Sequence, residues 1–266
     1  MRLNVGVVGY LLLSFLRYLA AVGRVPLIGS VLRSLSRALL PMQLRIWVRV
    51  SKGPAKGLWI RVNPRTGRDL CTGTRELLIQ ETLSKHLGAG MVLYDLGANL
   101  GLFTLVGARC VGRRGKVYAF EPDPDVCRRL SENVLRNGFS NVEVVQAAVC
   151  SRTGSTAFAR ADPHISPDMG LGRIGNSITA PSLIRVRSVA LDDFVRDALP
   201  PDVIKCDVEG AETEVLQGAR SLFERQKPVI VCELHSAEGT ESVKALLVQI
   251  GYTLRWLDVN HLLALP

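Results

Sequence analysis

The segment Met91–Leu105, MVLYDLGANLGLFTL, carries the decisive pattern of this 266-residue chain. An apolar run climbs to Asp95, turns through Gly97 and Gly101 around Asn99, and becomes apolar again. That order reads as a strand, a tight turn and the start of a helix. Glycines at such a turn let a backbone approach something that a Cβ would push away.

Outward from this turn the rhythm is regular. Strand-like GKVYAFEP precedes helical DPDVCRRLSENVLRNG, and NVEVVQAAVC reads as the next strand. IRVRSVALDDFVRDA supplies a strand and a turn of helix. DVIKCDVEG, AETEVLQGARSLFERQ and KPVIVCELH then read as strand, helix and strand. ESVKALLVQIG closes the helices, and YTLRWLD and HLLAL are two short strand-like pieces. Apolar strands separated by amphipathic helices predict an α/β fold with a largely parallel sheet covered on both faces.

In such sheets ligands bind outside the carboxyl ends of the strands. A dinucleotide turn would read G-x-G-x-x-G, with a pyrophosphate on the helix N-terminus. Gly97-Ala98-Asn99-Leu100-Gly101 is one residue short of that pattern. A ligand without a diphosphate suits it better, namely the adenosine and amino-acid tail of S-adenosylmethionine. Glu121 stands at the tip of the second strand, 24 residues after Gly97, where a carboxylate can accept both ribose hydroxyls. Ala147 and Ala148 end the third strand with side chains small enough for adenine to lie flat.

Composition bounds the rest. Hydrophobic residues make up 47% and charged residues 21%, an ordinary globular balance. The net charge of +9 is concentrated: residues 1–70 hold twelve Lys/Arg and one acid, leaving 21 basic and 23 acidic residues elsewhere. A near-neutral domain, 51–266, thus follows a basic, apolar helical leader, 1–50. The charge-free run Leu3–Leu16 is shorter than the roughly 20 residues a membrane-spanning helix needs. LIGSVLRSLSRALL places Ile28, Val31, Leu32, Leu35 and Leu39 on one helical face and Ser30, Arg33, Ser34 and Arg37 on the other. A headgroup interface suits that helix; a solvated helix capping the domain or pairing with a second copy fits it equally. Six widely spaced cysteines without a C-x-x-C pair read as buried free thiols in a reducing compartment, and no zinc site is expected. The expected location is cytoplasmic, at the inner face of the membrane if the leader lies on it.

The blocks YDLGANLG, AFEPDP, LDDF, KCDVEGAE and ELH occur in order between Gly67 and Asp258, and this succession resembles the FkbM-type methyltransferases. The resemblance implies a class I methyltransferase (Rossmann-like) domain with a seven-stranded sheet, six strands parallel and the last antiparallel. It implies an S-adenosylmethionine-dependent O-methyltransferase, whose relatives modify hydroxyls of sugars, glycolipids and secondary metabolites. Residues 1–50 lie outside it.

Methyl transfer requires an acceptor oxygen aligned with the methyl group and relieved of its proton. Asp207 and Glu209 stand at one strand tip, and Glu233 and His235 at the neighbouring tip, two apart and so on one face. His235 has the free pKa of a base near neutrality. Asp207 and Glu233 suit holding the hydroxyl, orienting the histidine, or binding Mg²⁺ through oxygen. Glu76, in GTRE, lies where family members carry a Gly-x-x-Glu that reaches the cofactor's amino-acid end. The glycine-rich DPHISPDMGLGRIGNS reads either as a lid over the acceptor or as a plain exposed loop. The rival reading is an RNA or other nucleic-acid methyltransferase. Amino-group methylation commonly uses an Asn/Asp-Pro-Pro-aromatic loop, where this chain has Asp207-Val-Glu-Gly, so no nucleic-acid partner is expected.

Overall fold

Strand β3, Val92–Leu96, is buried along its whole length and forms the middle of the fold. The computed structural model describes residues 44–160, 172–174 and 182–266. The apolar run Leu3–Leu16, the amphipathic leader helix and most of the proposed lid lie outside those residues.

The chain order is β1 (Ile46–Arg49), β2 (Trp59–Val62), α1 (Arg68–Thr72), α2 (Leu77–His86), β3, α3 (Leu102–Val111), β4 (Lys116–Phe120), α4 (Pro124–Arg136) and β5 (Val142–Val145). There follow β6 (Ala148–Val149), β7 (Gly154–Arg160), β8 (Arg173–Ile174), β9 (Ser182–Val189), α5 (Leu191–Phe194) and β10 (Val203–Cys206). Last come α6 (Glu212–Gln217), α7 (Arg220–Gln226), β11 (Val229–Glu233), α8 (Ala237–Gln249), β12 (Thr253–Trp256) and β13 (His261–Leu265).

Seven strands make the main sheet in the order β12-β13-β11-β10-β3-β4-β5. β13 is antiparallel to both of its neighbours, and the β11-β10-β3-β4-β5 run is parallel throughout. Six strands therefore share one direction and β13 opposes them, as the resemblance implies.

Side chains alternate across the sheet and feed two cores. Tyr94, Leu96, Phe120, Ile204 and Cys206 pack on one face with α5, α6, α7 and α8. Leu93, Val117, Val203 and Val231 pack on the other with α2 and α3. Tyr94, Tyr118 and Phe194 meet edge to face at centroid distances of 5.3–5.7 Å. All six cysteines are free, four of them buried.

Two elements differ from the sequence expectation. NVEVVQAAVC is not one strand: the chain turns at Gln146-Ala147, with Ala147 N–H donating to Val145 O (2.9 Å). β5 stays in the main sheet while β6 joins a second sheet, ordered β6-β9-β7-β8. The helical stretch after β10 also breaks, at Gly218-Ala219. A Cβ on Gly218 would stand 2.3 Å from the Cys150 carbonyl oxygen, so the helix passes too close to that strand for any side chain. Asp192, in the LDDF block, accepts from Leu222 N–H (2.8 Å) and Ser221 N–H (3.0 Å) and so starts α7 afresh.

Residues 44–50, assigned by sequence to the leader, include β1, which pairs antiparallel with β2. Buried Asn133 of α4 joins this hairpin to the glycine turn. Its Oδ1 accepts from Arg61 N–H (2.9 Å) and its Nδ2 donates to Leu100 O (2.7 Å).

Candidate active site

The carboxyl ends of β3, β4, β10 and β11 open on one cavity of about 610 Å³. Ala147 and Ala148 lie on its wall, brought there by the turn that splits β5 from β6. Glu76, Gly97, Asn99 and Glu121 line it, as do Asp207, Glu209, Glu233 and His235. Ten of the twelve residues singled out from sequence thus border a single space.

Asp95 and Gly101 do not border it. Asp95 is fully buried beneath the turn, accepting from the Thr104 hydroxyl (2.5 Å) and standing 3.9 Å from Lys205 Nζ. Burial pushes its carboxyl up against the opposing pull of Lys205 and Thr104. Gly101 begins α3 at φ 88°, and a Cβ there would meet Leu130 Cδ1 at 2.3 Å. The space beside this glycine is filled by the protein's own side chain. Gly97 does line the cavity, yet its missing Cβ makes room chiefly for the Asp207 carbonyl.

Glu121 is 6% exposed and is held by the turn it faces. Oε2 accepts from Asn99 N–H (3.0 Å) and Oε1 from Asp123 N–H (2.9 Å). Burial lifts its carboxyl to about 7, the two backbone donors pulling the other way. Asn99 adopts the left-handed conformation, φ 50°, that directs this N–H at the carboxylate. Arg160, at the end of β7, bonds both oxygens of Asp123 (2.7 and 2.9 Å) and closes the wall from the second sheet.

The other wall is acidic. His235 Nδ1 lies 2.8 Å from Glu212 Oε1. Its Nε2 faces Glu209 Oε2 (3.6 Å), Asp207 Oδ1 (3.7 Å) and Glu233 Oε1 (3.8 Å). The Glu212 hydrogen bond, then the surrounding carboxylates, overcome burial and raise its pKa to about 9. Folding thus surrounds His235 with anions that favour its charged form, which weighs against the neutral base expected from sequence. Glu212, buried, also accepts from Gly210 N–H (2.9 Å), so it supports the histidine and the loop together. Lys205 Nζ donates to Asp207 (2.9 Å) and Gly97 O (3.4 Å), fixing the distance between the two strand tips. Glu209 sits at φ 55°, its carboxyl pushed up first by burial and then by Asp207.

Sequence reasoning missed His261. The β11–β13 register sets it opposite Glu233, and its Nε2 lies 3.5 Å from Glu233 Oε2 and 3.8 Å from Glu76 Oε2. Nδ1 lies 2.9 Å from both oxygens of Asp258. Burial opposes its charge, but Glu233, Glu76 and Asp258 prevail and hold it at about 10. Only the strand-like alternation of HLLAL hinted at its place.

Among the described residues, two triads come within metal-ligand reach: Asp207, Glu233 and His235, and Glu76, Glu233 and His261. Each includes an imidazole nitrogen, which departs from the all-oxygen shell expected for Mg²⁺. S-adenosylmethionine fits the cavity better on observed grounds. Glu121, largely buried where a charge is disfavoured, lines the space together with two alanines whose side chains are small.

The sheet order, with its single reversed strand, and a cavity at the parallel tips define a class I methyltransferase fold. The family model described as Methyltransferase FkbM domain matches residues 95–259. The chain belongs to that family. It is similar to the hexuronic acid methyltransferase AglP of Haloferax volcanii, 30% identical over 64% of this chain and 66% of AglP. This chain therefore spans just under two thirds of that relative. It is 27% identical to the 31-O-demethyl-FK506 methyltransferase FkbM of Streptomyces tacrolimicus, over 68% of this chain and 80% of that protein. A crystal structure of methyltransferase FkbM from Methylobacillus flagellatus KT superposes with a TM-score of 0.49 and 18% identity, over 73% of this chain and 51% of that one.

Proposed function

We propose that this protein transfers the methyl group of S-adenosylmethionine to a hydroxyl of a sugar, glycolipid or secondary metabolite. One observation carries the reading: Glu121 with Ala147 and Ala148, and the Asp207–Glu209–Glu233–His235 group, line the same cavity. The names of the two relatives support the acceptor class, one being a methyltransferase of hexuronic acid and the other of 31-O-demethyl-FK506. Asp207-Val-Glu-Gly stands where amino-group methylation commonly uses an Asn/Asp-Pro-Pro-aromatic loop, which weighs against nucleic acid.

When bound, S-adenosylmethionine supplies an electrophilic methyl group. Glu121 would hold the ribose hydroxyls with lone pairs left over from its two backbone hydrogen bonds. Asn99 and Gly97 would border the nucleoside, and the two alanines would flank adenine. Glu209, with a carboxyl raised above the ordinary range, is the base in this reading: it takes the acceptor's proton as the oxygen loses it. Asp207 and Glu233 hold the hydroxyl, and charged His235 keeps three carboxylates gathered around it.

The test is calorimetry with S-adenosylmethionine, followed by incubation of labelled cofactor with fractionated lipid and polysaccharide extracts. Binding plus label in a hydroxyl-bearing lipid or glycan supports the reading. No affinity for the cofactor would end it.

A further inference from the structure

Glu76 and Glu233, which the methyl-transfer reading places beside the cofactor and the acceptor, also meet His261, which that reading does not use. Glu76 precedes α2, Glu233 ends β11 and His261 begins β13, so three distant segments converge. One ligand atom from each lies within 4.8 Å of the others. The His261 side chain is nine-tenths buried. Its Nε2 and Glu76 Oε2 are both buried atoms without a hydrogen-bond partner.

We infer that these three residues form a binding site for one divalent transition-metal ion of the borderline class that includes Fe²⁺, Co²⁺ and Zn²⁺. The inference does not depend on which acceptor is methylated, although it shares Glu233 with the group that holds the hydroxyl. Three points carry it.

The spacing comes first. Nε2 stands 3.5 and 3.8 Å from the two carboxylate oxygens. A charged N–H···O bond would close to about 2.7–2.9 Å. Ligands sharing an ion, with metal–N and metal–O bonds of about 2.0–2.2 Å, stand roughly 3.0–3.4 Å apart. The observed gaps lie nearer the second arrangement, and the two carboxylate oxygens, within 4.8 Å of each other, would draw together on the ion.

Orientation comes second. Asp258 holds Nδ1 at 2.9 Å, so Nδ1–H donates there and Nε2 turns to the carboxylates. Carboxylate–imidazole–metal triads fix a ligating histidine in this way. A nitrogen and two anionic oxygens gathered within 4.8 Å of one another favour a cation among them; without an ion a proton takes that place.

The donor set comes third. One imidazole and two carboxylates suit borderline transition ions better than Mg²⁺ or Ca²⁺. Glu76 and Glu233 line the cavity, so the ion's remaining positions would open toward it. Glu233 turns its other oxygen to His235 (3.8 Å), linking the ion to the acidic wall.

The experiment uses the full chain, stripped with a chelator and titrated with Co²⁺ without S-adenosylmethionine or acceptor. One equivalent should bind and give the visible absorption bands of a low-symmetry Co²⁺ site. Glu76→Gln and His261→Gln should each weaken binding about tenfold or more, and Asp258→Asn by about 10–100-fold. His86→Gln, at the end of α2 and away from the cavity, should leave it unchanged. Circular dichroism melts show that each variant is folded; Glu76→Gln, nearly isosteric, serves if His261→Gln is not. No uptake at micromolar Co²⁺ overturns the inference and leaves an ion-pair cluster. So does uptake lost in His235→Gln but kept in His261→Gln, which would place the ion at the other triad. Cofactor binding without metal uptake would remove this site alone.

Discussion

A Cβ placed on Gly97 would lie 1.8 Å from the carbonyl oxygen of Asp207. The bare backbone at the glycine turn thus serves the approach of two strand tips. Gly97→Ala should destabilise the fold by about 2–5 kcal/mol, combining roughly 1–2 for the left-handed conformation with 1–3 for overpacking. The melting temperature should fall on the order of 5–10 °C. An unchanged melt with lost cofactor affinity would instead mean that the ligand needs the gap.

Glu121 should make cofactor binding pH-dependent. Its carboxyl is raised by burial to about 7, from an ordinary 4.5. Ribose hydroxyls donate, so they favour the ionised form, and affinity should fall as pH drops through about 7. In the free protein the sign is opposite. A raised pKa gives stability that is fully present below about 4.5 and lost as pH rises through about 7. Glu121→Gln should flatten both profiles while binding weakly throughout, as calorimetry and urea melts at several pH values would show.

Glu209→Gln should lower kcat about 10²–10³-fold, within the range for loss of a general base. The affinity for S-adenosylmethionine should stay within a factor of about two, because Glu209 stands on the opposite wall from Glu121. A wild-type turnover rate with saturating cofactor would clear Glu209 of that role.

Asn133→Ala should cost about 2–6 kcal/mol. The change leaves Arg61 N–H and Leu100 C=O without their buried partner, at about 1–3 kcal/mol each. Denaturant unfolding measures it, and the hairpin β1–β2 should lose amide-exchange protection first.

Deleting residues 1–43, which spares β1, should release the protein from anionic vesicles without changing cofactor affinity. No helix among the described residues is long and apolar enough to cross a membrane, so a truncated chain that still sediments with vesicles would sink the leader's role.

What could be read from the chain was local. The strand–turn–helix at Asp95–Gly101, the Pro124 helix start capped by Asp123 and the paired acids of DVEG and ELH each announce themselves within a few residues. What could not be read depends on partners distant in sequence. Gly101 is bare because of Leu130, and Gly97 because of Asp207. The turn at Ala147 follows from which sheet receives β6. His235 looks like a neutral base until folding rings it with carboxylates, and His261 acquires a role only through its pairing with Glu233.

β13 is wedged between β11 and β12, both of which are synthesised before it. β12 therefore has no edge to join until β13 has docked beside β11, and the strand that fastens this side of the sheet is also the one that carries His261 to Glu233.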